Sequence, residues 1–176
     1  MLSRVYISLG SNIEPDRYLK SGLSELSYHF GKLLLSSVYE SEAVGFKGSN
    51  FLNMVVGVDT ELSIGELVSL FKQIEQDNGR LVGAKKFAPR TLDLDLLLYG
   101  DKVTFDPVEL PRAEILTNAF VLWPMAELAA DLIHPAVNIS YQTLWNEYDK
   151  TQQRLWPVPF AWTPALADEA ATLYSL

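Results

Sequence analysis

The chain has 176 residues, a net charge of -8, 48 % hydrophobic and 20 % charged residues, and no cysteine. That length suits one domain with a real core. The acidic balance argues against a nucleic-acid binder acting through bulk charge, and the lack of cysteine excludes disulfides and thiolate metal sites. The N-terminal apolar run is too short for a signal peptide, and no run approaches the roughly 20 residues of a membrane helix. The expected location is the cytoplasm.

Val5, Ile7 and Leu9 alternate with Tyr6 and Ser8, which predicts a first strand over 4–9, ended by turn chemistry at Gly10, Ser11 and Asn12. Leu19, Leu23, Leu26 and Phe30 lie on one face of a helix that stops at Gly31. Residues 33–41 read as a second strand, 43–50 as a loop, and 51–60 as a third strand. In that third strand Phe51, Asn53 and Val55 share one face, opposite Leu52, Met54, Val56 and Val58. Ser63 and Glu66 have capping-box spacing. Leu67, Leu70, Phe71 and Ile74 then form the inner stripe of a second helix, closed by Asn78 and Gly79.

Residues 80–99 hold two kinds of chemistry. Residues 80–90 carry Arg80, Lys85, Lys86 and Arg90, four of the 14 Lys and Arg, and no acid. Residues 92–99 form a strand with Asp93 and Asp95 on one face and Leu92, Leu94, Leu96 and Leu98 on the other. A basic loop read as a closing lid, leading into paired carboxylates, has the parts that phosphoryl chemistry needs. Alone, the acids fit a solvated strand face and the basic run an exposed loop. Phe51 and Asn53 can stack on a flat heterocycle and read its edge, and Phe120 offers a second ring; all three also suit a core. A short extended stretch follows over 102–110. Helices are predicted over 117–128, interrupted by Pro124, and over 140–150. The aromatic, proline-rich tail, residues 151–176, is expected to pack on a single body formed by 1–150.

The order strand, helix, strand, strand, helix, strand predicts an α+β fold. Its core is a ferredoxin-like antiparallel sheet of βαββαβ order, with the later helices making three α-β-α layers. There is no P-loop or dinucleotide fingerprint. His29 and His134 are assigned to structure.

Gly79-Arg80, followed by Phe87 and the run Pro89-Arg90-Thr91-Leu92-Asp93-Leu94-Asp95, closely resembles the signature of the 6-hydroxymethyl-7,8-dihydropterin pyrophosphokinase family of folate synthesis. The likeness extends from Tyr6 to Asn12, through Phe51-Leu52-Asn53 and Ile74-Glu75, to Phe120 and Trp123-Pro124, and covers roughly residues 4–135. The resemblance implies transfer of pyrophosphate from ATP to the pterin hydroxymethyl group, leaving AMP. It implies that Asp93 and Asp95 hold two Mg²⁺, and that Phe51 and Phe120 sandwich the pterin. Asn53 would read the pterin edge, with backbone around Ser41, Ala43 and Val44. Arg80 and Arg90 would serve the transferred phosphates, and Glu75, Lys85, Arg90, Leu96 and Arg112 the nucleotide. Small molecules are the implied partners, with no nucleic acid or membrane, and the chain is expected to be monomeric.

Three positions depart from the family pattern. Arg112 stands where the family usually has His, Asn118 where it usually has Arg, and Val82 where some members add a base. A charge-assisted contact contributes about 1.5–3 kcal/mol, so ATP handling weaker by about one to two decades is implied. The alternative is a diverged paralogue that binds pterin without the usual transfer. A ferredoxin-like RNA-binding module is disfavoured by the charge and by the absence of an RNP1-like run.

Overall fold

The computed structural model describes residues 1–42, 50–79 and 91–164. Among them, six strands form one sheet: β1 Ser3–Ser11, β2 Leu34–Leu35, β3 Val38–Ser41, β4 Phe51–Thr60, β5 Asp93–Tyr99 and β6 Leu155–Val158. The order across the sheet is β5-β1-β4-β3-β6, with β2 also on β4, and the pairings are antiparallel. Five helices cover it: α1 Pro15–Phe30, α2 Ile64–Asp77, α3 Glu114–Thr117, α4 Ala119–Leu128 and α5 Tyr141–Glu147.

Strand alternation sorts the core into two halves. Val5, Ile7, Leu9, Met54, Val56, Leu92, Leu94 and Leu96 meet α1 and α2 through Leu19, Leu23, Leu26, Leu67, Phe71 and Ile74. Tyr6, Val55, Leu97 and Leu98 meet α3, α4 and α5. The ends of both long helices follow the local sequence. Gly31 stops α1 at φ 75°. Ser63 Oγ accepts from Glu66 N, and Glu66 Oε1 accepts from Ser63 N, at 3.2 and 3.0 Å. Losing such a cap costs about 1 kcal/mol. Gly79, at φ 90°, takes the chain away from α2.

Six expectations change. The first strand does not stop before Gly10; β1 runs to Ser11, and Gly10 pairs with strands on both sides. The single strand over 33–41 is two pieces. Ser36 Oγ accepts from Val55 N at 2.9 Å, and the carboxylate of Glu127 accepts from Ser37 N and Oγ at 2.8 and 2.5 Å. One hydroxyl and one carboxylate take the place of ladder bonds there and jog the chain. In β5 the partners jump from Tyr6↔Leu98 to Ile7↔Leu96, so Leu97 is a bulge. Beyond it the alternation reverses: Leu98 joins the α4 side and Tyr99 the α2 side. Asp93 and Asp95 precede the bulge and keep their common face.

The stretch 102–110 keeps one antiparallel bridge, Thr104↔Leu110. The break expected at Pro124 falls instead at Asn118, and Pro124 sits buried inside α4. It forfeits one helical bond, the one its missing N–H would make to the Phe120 carbonyl. The last helix is shorter than 140–150, running Tyr141–Glu147 from a Ser140 cap. Residues 155–158 of the tail form β6 on β3, and Phe160 and Trp162 pack on the α1 side of the core. Among the described residues no helix is long and apolar enough to cross a membrane.

Candidate active site

Gly10 is the hinge of the site's geometry. It pairs with Asn53 of β4 on one side and Asp93 of β5 on the other, and Asn53 pairs with Tyr39 of β3. Directly paired residues point to the same face. Tyr39, Asn53, Gly10 and Asp93 therefore make one row across four strands. Ser41 with Phe51, and Ser8 with Asp95, lie in the rows on either side. Strands are roughly 4.8 Å apart, so the amide and the carboxylate rise roughly 10 Å apart over a position with no side chain. This is the face covered by α4, whose second residue is Phe120.

The missing side chain is required. A Cβ on Gly10 would lie 2.8 Å from Asn53 Oδ1. Asn53 is only 9 % exposed, and its Nδ2 donates to Ser41 Oγ at 3.2 Å. Its Oδ1 thus lies over the Gly10 backbone. Tyr39 closes the row: its phenol donates to Glu127 at 3.0 Å, and its ring lies tilted against Trp123, with ring centres 4.6 Å apart. Burial, then the Glu127 charge, pushes that phenol's pKa up, so it stays neutral.

Asp93 and Asp95 are both half-buried on the common face. Arg112 reaches Asp95 from the segment before α3. Its backbone N–H donates to the Leu97 carbonyl and its Nε to the Leu96 carbonyl, each at 3.0 Å. Its Nη2 then lies 3.6 Å from Asp95 Oδ1. Those carbonyls belong to the bulged part of an edge strand, where the outer backbone groups have no neighbouring strand. Leu96 itself turns its side chain into the core, leaving its backbone toward Arg112. Glu75, 9 % exposed on α2, accepts from Leu94 N at 2.8 Å and caps the same edge from the other face.

Phe51 is half-buried beside Ser41, and Phe120 packs partly against the α4 side of the core. Asn118 turns its amide to Gln153, whose Nε2 donates to Asn118 Oδ1 at 3.1 Å. Ala43, Val44, Arg80, Lys85 and Arg90 lie outside the described residues. The two histidines are occupied by their own neighbours: His29 lies against Tyr28 and Phe30, and His134 against Tyr141. His134, 3 % exposed, accepts at Nδ1 from Ala136 N and Val137 N, at 3.1 and 3.4 Å.

Among the described residues no group of three or more His, Asp or Glu could hold a metal. Two carboxylates on one strand face still fit Mg²⁺, which takes one or two carboxylates and completes its shell with substrate oxygens and water. Sequence reading named both acids, Asn53, Phe51 and Phe120, and the sheet pairings set Asp93, Asp95, Asn53 and Phe51 on one face. It missed Gly10, for which a glycine between strand residues was the available signal, and it missed Gln153, for which there was none.

The fold and site define a class: a mixed α/β protein whose antiparallel sheet presents an acid pair beside a buried amide and a half-buried ring. Comparison with known proteins narrows it. A family model for 7,8-dihydro-6-hydroxymethylpterin-pyrophosphokinase matches residues 6–130. The 2-amino-4-hydroxy-6-hydroxymethyldihydropteridine pyrophosphokinase of Pseudomonas aeruginosa is 36 % identical over 140 residues, 77 % of this chain and 86 % of that one. The enzyme of the same name from Bacillus subtilis is 33 % identical over 156 residues, 86 % of this chain and 89 % of that one. In structure the chain is similar to wild-type Plasmodium falciparum HPPK-DHPS with pteroate, at TM-score 0.68 and 13 % identity; 84 % of this chain matches 42 % of that longer one. The chain belongs to the 7,8-dihydro-6-hydroxymethylpterin-pyrophosphokinase family.

Proposed function

We propose that the protein transfers pyrophosphate from ATP to the hydroxymethyl group of 6-hydroxymethyl-7,8-dihydropterin. The supporting observation is the shared face of Asp93, Asp95, Asn53 and Phe51, spaced by Gly10. The hydroxymethyl oxygen attacks the β-phosphorus. The bond from that phosphorus to the oxygen bridging it to the α-phosphorus breaks, AMP leaves with that oxygen, and the hydroxyl proton passes to solvent.

Asp93 and Asp95 would hold two Mg²⁺, which supply phosphate-charge neutralisation and a more acidic attacking hydroxyl. Asn53 reads the pterin edge, with Ser41 holding its amide orientation and backbone at Ala43 and Val44 assisting. Phe51 and Phe120 stack on the pterin faces. Arg112, anchored on the Leu96 and Leu97 carbonyls, keeps Asp95 oriented and places a cation next to the phosphates. Arg80 and Arg90 stabilise charge on the transferred group, and Lys85, Leu96 and Glu75 border the nucleotide. On this reading the sheet is ferredoxin-like, 1–150 is one body with 151–176 as its tail, and the enzyme is a cytoplasmic monomer.

Asp95→Ala tests it. With Mg-ATP and the reduced pterin, AMP formation is expected to fall by more than about a hundredfold, as when a major electrostatic contributor is removed, with the circular dichroism spectrum unchanged. Full activity in that variant ends the assignment. Wild-type protein that binds pterin tightly and releases no AMP selects the diverged-paralogue reading instead.

A further inference from the structure

The junction between α3 and α4 delivers Phe120, and it is held from outside. Asn118 occupies the cap position of α4, yet its own side chain makes no capping bond. A helix start leaves backbone N–H groups to be satisfied by something else. Gln153 does this at the first turn. Its Oε1 accepts from Ala119 N at 2.7 Å, and its Nε2 donates to Asn118 Oδ1 at 3.1 Å. Tyr148 adds a third tie, its phenol donating to the Thr117 carbonyl at 2.8 Å. Three consecutive residues, 117 to 119, are thus gripped by residues 148–153, immediately before the ring.

The grip is itself anchored. Lys150 Nζ donates to the Trp145 carbonyl at 2.7 Å and lies 4.5 Å from the centre of that ring. Just beyond Gln153, β6 pairs Leu155 with Ser41 and Trp156 with Glu40, and the Trp156 indole donates to Glu40 at 2.9 Å. Ser41 is the hydroxyl that holds the Asn53 amide. One short stretch therefore ties Phe120 on one side of the site to Ser41 and Asn53 on the other. It lies beyond residues 6–130, the part the family model matches.

We infer that Gln153 is a positioning residue for pterin binding: its side-chain amide sets the start of α4 and, through Asn118 and Ala119, the Phe120 ring. The pterin part rests on the proposed function. Gln153 acts through the helix start and takes no part in the chemistry, so its removal weakens pterin binding and spares the transfer step.

Gln153→Ala is expected to speed amide exchange at Ala119 and through the first turn of α4 in the free protein. It should also raise the pterin KM about five- to tenfold, as two neutral hydrogen bonds are lost, with kcat and the ATP KM within about twofold. Gln153→Glu keeps an acceptor for Ala119 N, and a flipped Asn118 amide can donate to it, so this variant should restore most of the pterin KM. Trp162→Phe removes a different tail bond, the 3.1 Å indole contact to Ser24, and should leave both readouts unchanged. Unchanged exchange at Ala119 in Gln153→Ala overturns the inference. So does a pterin KM that rises equally in Trp162→Phe, or a Gln153→Ala loss confined to kcat. A wild-type protein without AMP release refutes the proposed function; the exchange arm and direct pterin titration still decide the role of Gln153.

Discussion

Replacing Gly10 with Ala places a methyl group 2.8 Å from Asn53 Oδ1. The next nearest atoms, Asn53 Cγ and the Leu52 carbonyl oxygen, are each 3.9 Å away. The obstacle is therefore one amide oxygen, and the strand itself has room. Asn53 must rotate, which breaks its 3.2 Å bond to Ser41 Oγ, or β1 must shift against β4. Overpacking of this kind costs about 1–3 kcal/mol. The swap out of glycine returns about 0.5–1 kcal/mol of backbone entropy, so the net stability loss expected is about 0.5–2 kcal/mol. The function loses more than the fold, because the amide that moves is the one assigned to read the pterin. The pterin KM should rise about tenfold or more, in line with one misdirected hydrogen-bonding group. Urea unfolding and AMP release at saturating Mg-ATP measure the two effects. Asn53→Ala removes the obstacle, so Gly10→Ala should cost little stability in that background. A coupling of about 1–2 kcal/mol is expected between two residues in contact. An equal stability cost in both backgrounds, or an unchanged pterin KM in Gly10→Ala, refutes the reasoning.

Glu75→Ala should destabilise the fold by about 1–3 kcal/mol, because it leaves the Leu94 N–H of a buried edge strand without its acceptor. Glu75→Gln retains an acceptor oxygen and should recover most of that loss in urea melts; equal losses in the two variants would argue against the edge-capping role. Burial holds the His134 pKa below its ordinary 6.5. Its neutral form is the native one, and the unfolded chain takes up the proton first. The contribution is therefore complete above pH 6.5 and is lost as pH falls from 6.5 toward the folded value, with a slope of at most about 1.4 kcal/mol per pH unit. His134→Asn keeps an acceptor for Ala136 N and does not titrate, so its stability should vary less between pH 7.5 and 5. His29 shifts in the same direction, but it is present in both proteins and cancels in the difference. Parallel pH profiles for the two proteins would remove His134 as the source.

Much of this protein is written locally. The stripes of α1 and α2, the Ser63–Glu66 box, the stop at Gly31 and the common face of Asp93 and Asp95 depend on residues within one or two turns of each other. Side-chain period and backbone chemistry decide such features without reference to the rest of the chain. The resemblance named the acids, Asn53 and both rings on the same basis, through short runs of adjacent residues.

Other features were decided between distant parts of the chain. Leu97 could be extruded as a bulge only by the register of β1 against β5, and that one residue reversed the faces of Leu98 and Tyr99. Gly10 looked like a turn because glycine usually makes one; its role lies in what Asn53, 43 residues later, needs above it. Glu75 finding Leu94, Gln153 finding Asn118, and β6 closing on β3 are pairings that leave no periodic trace. A hydrogen bond across such distances depends on which surfaces the folded sheet and helices bring together, so it exists only once the whole chain has packed.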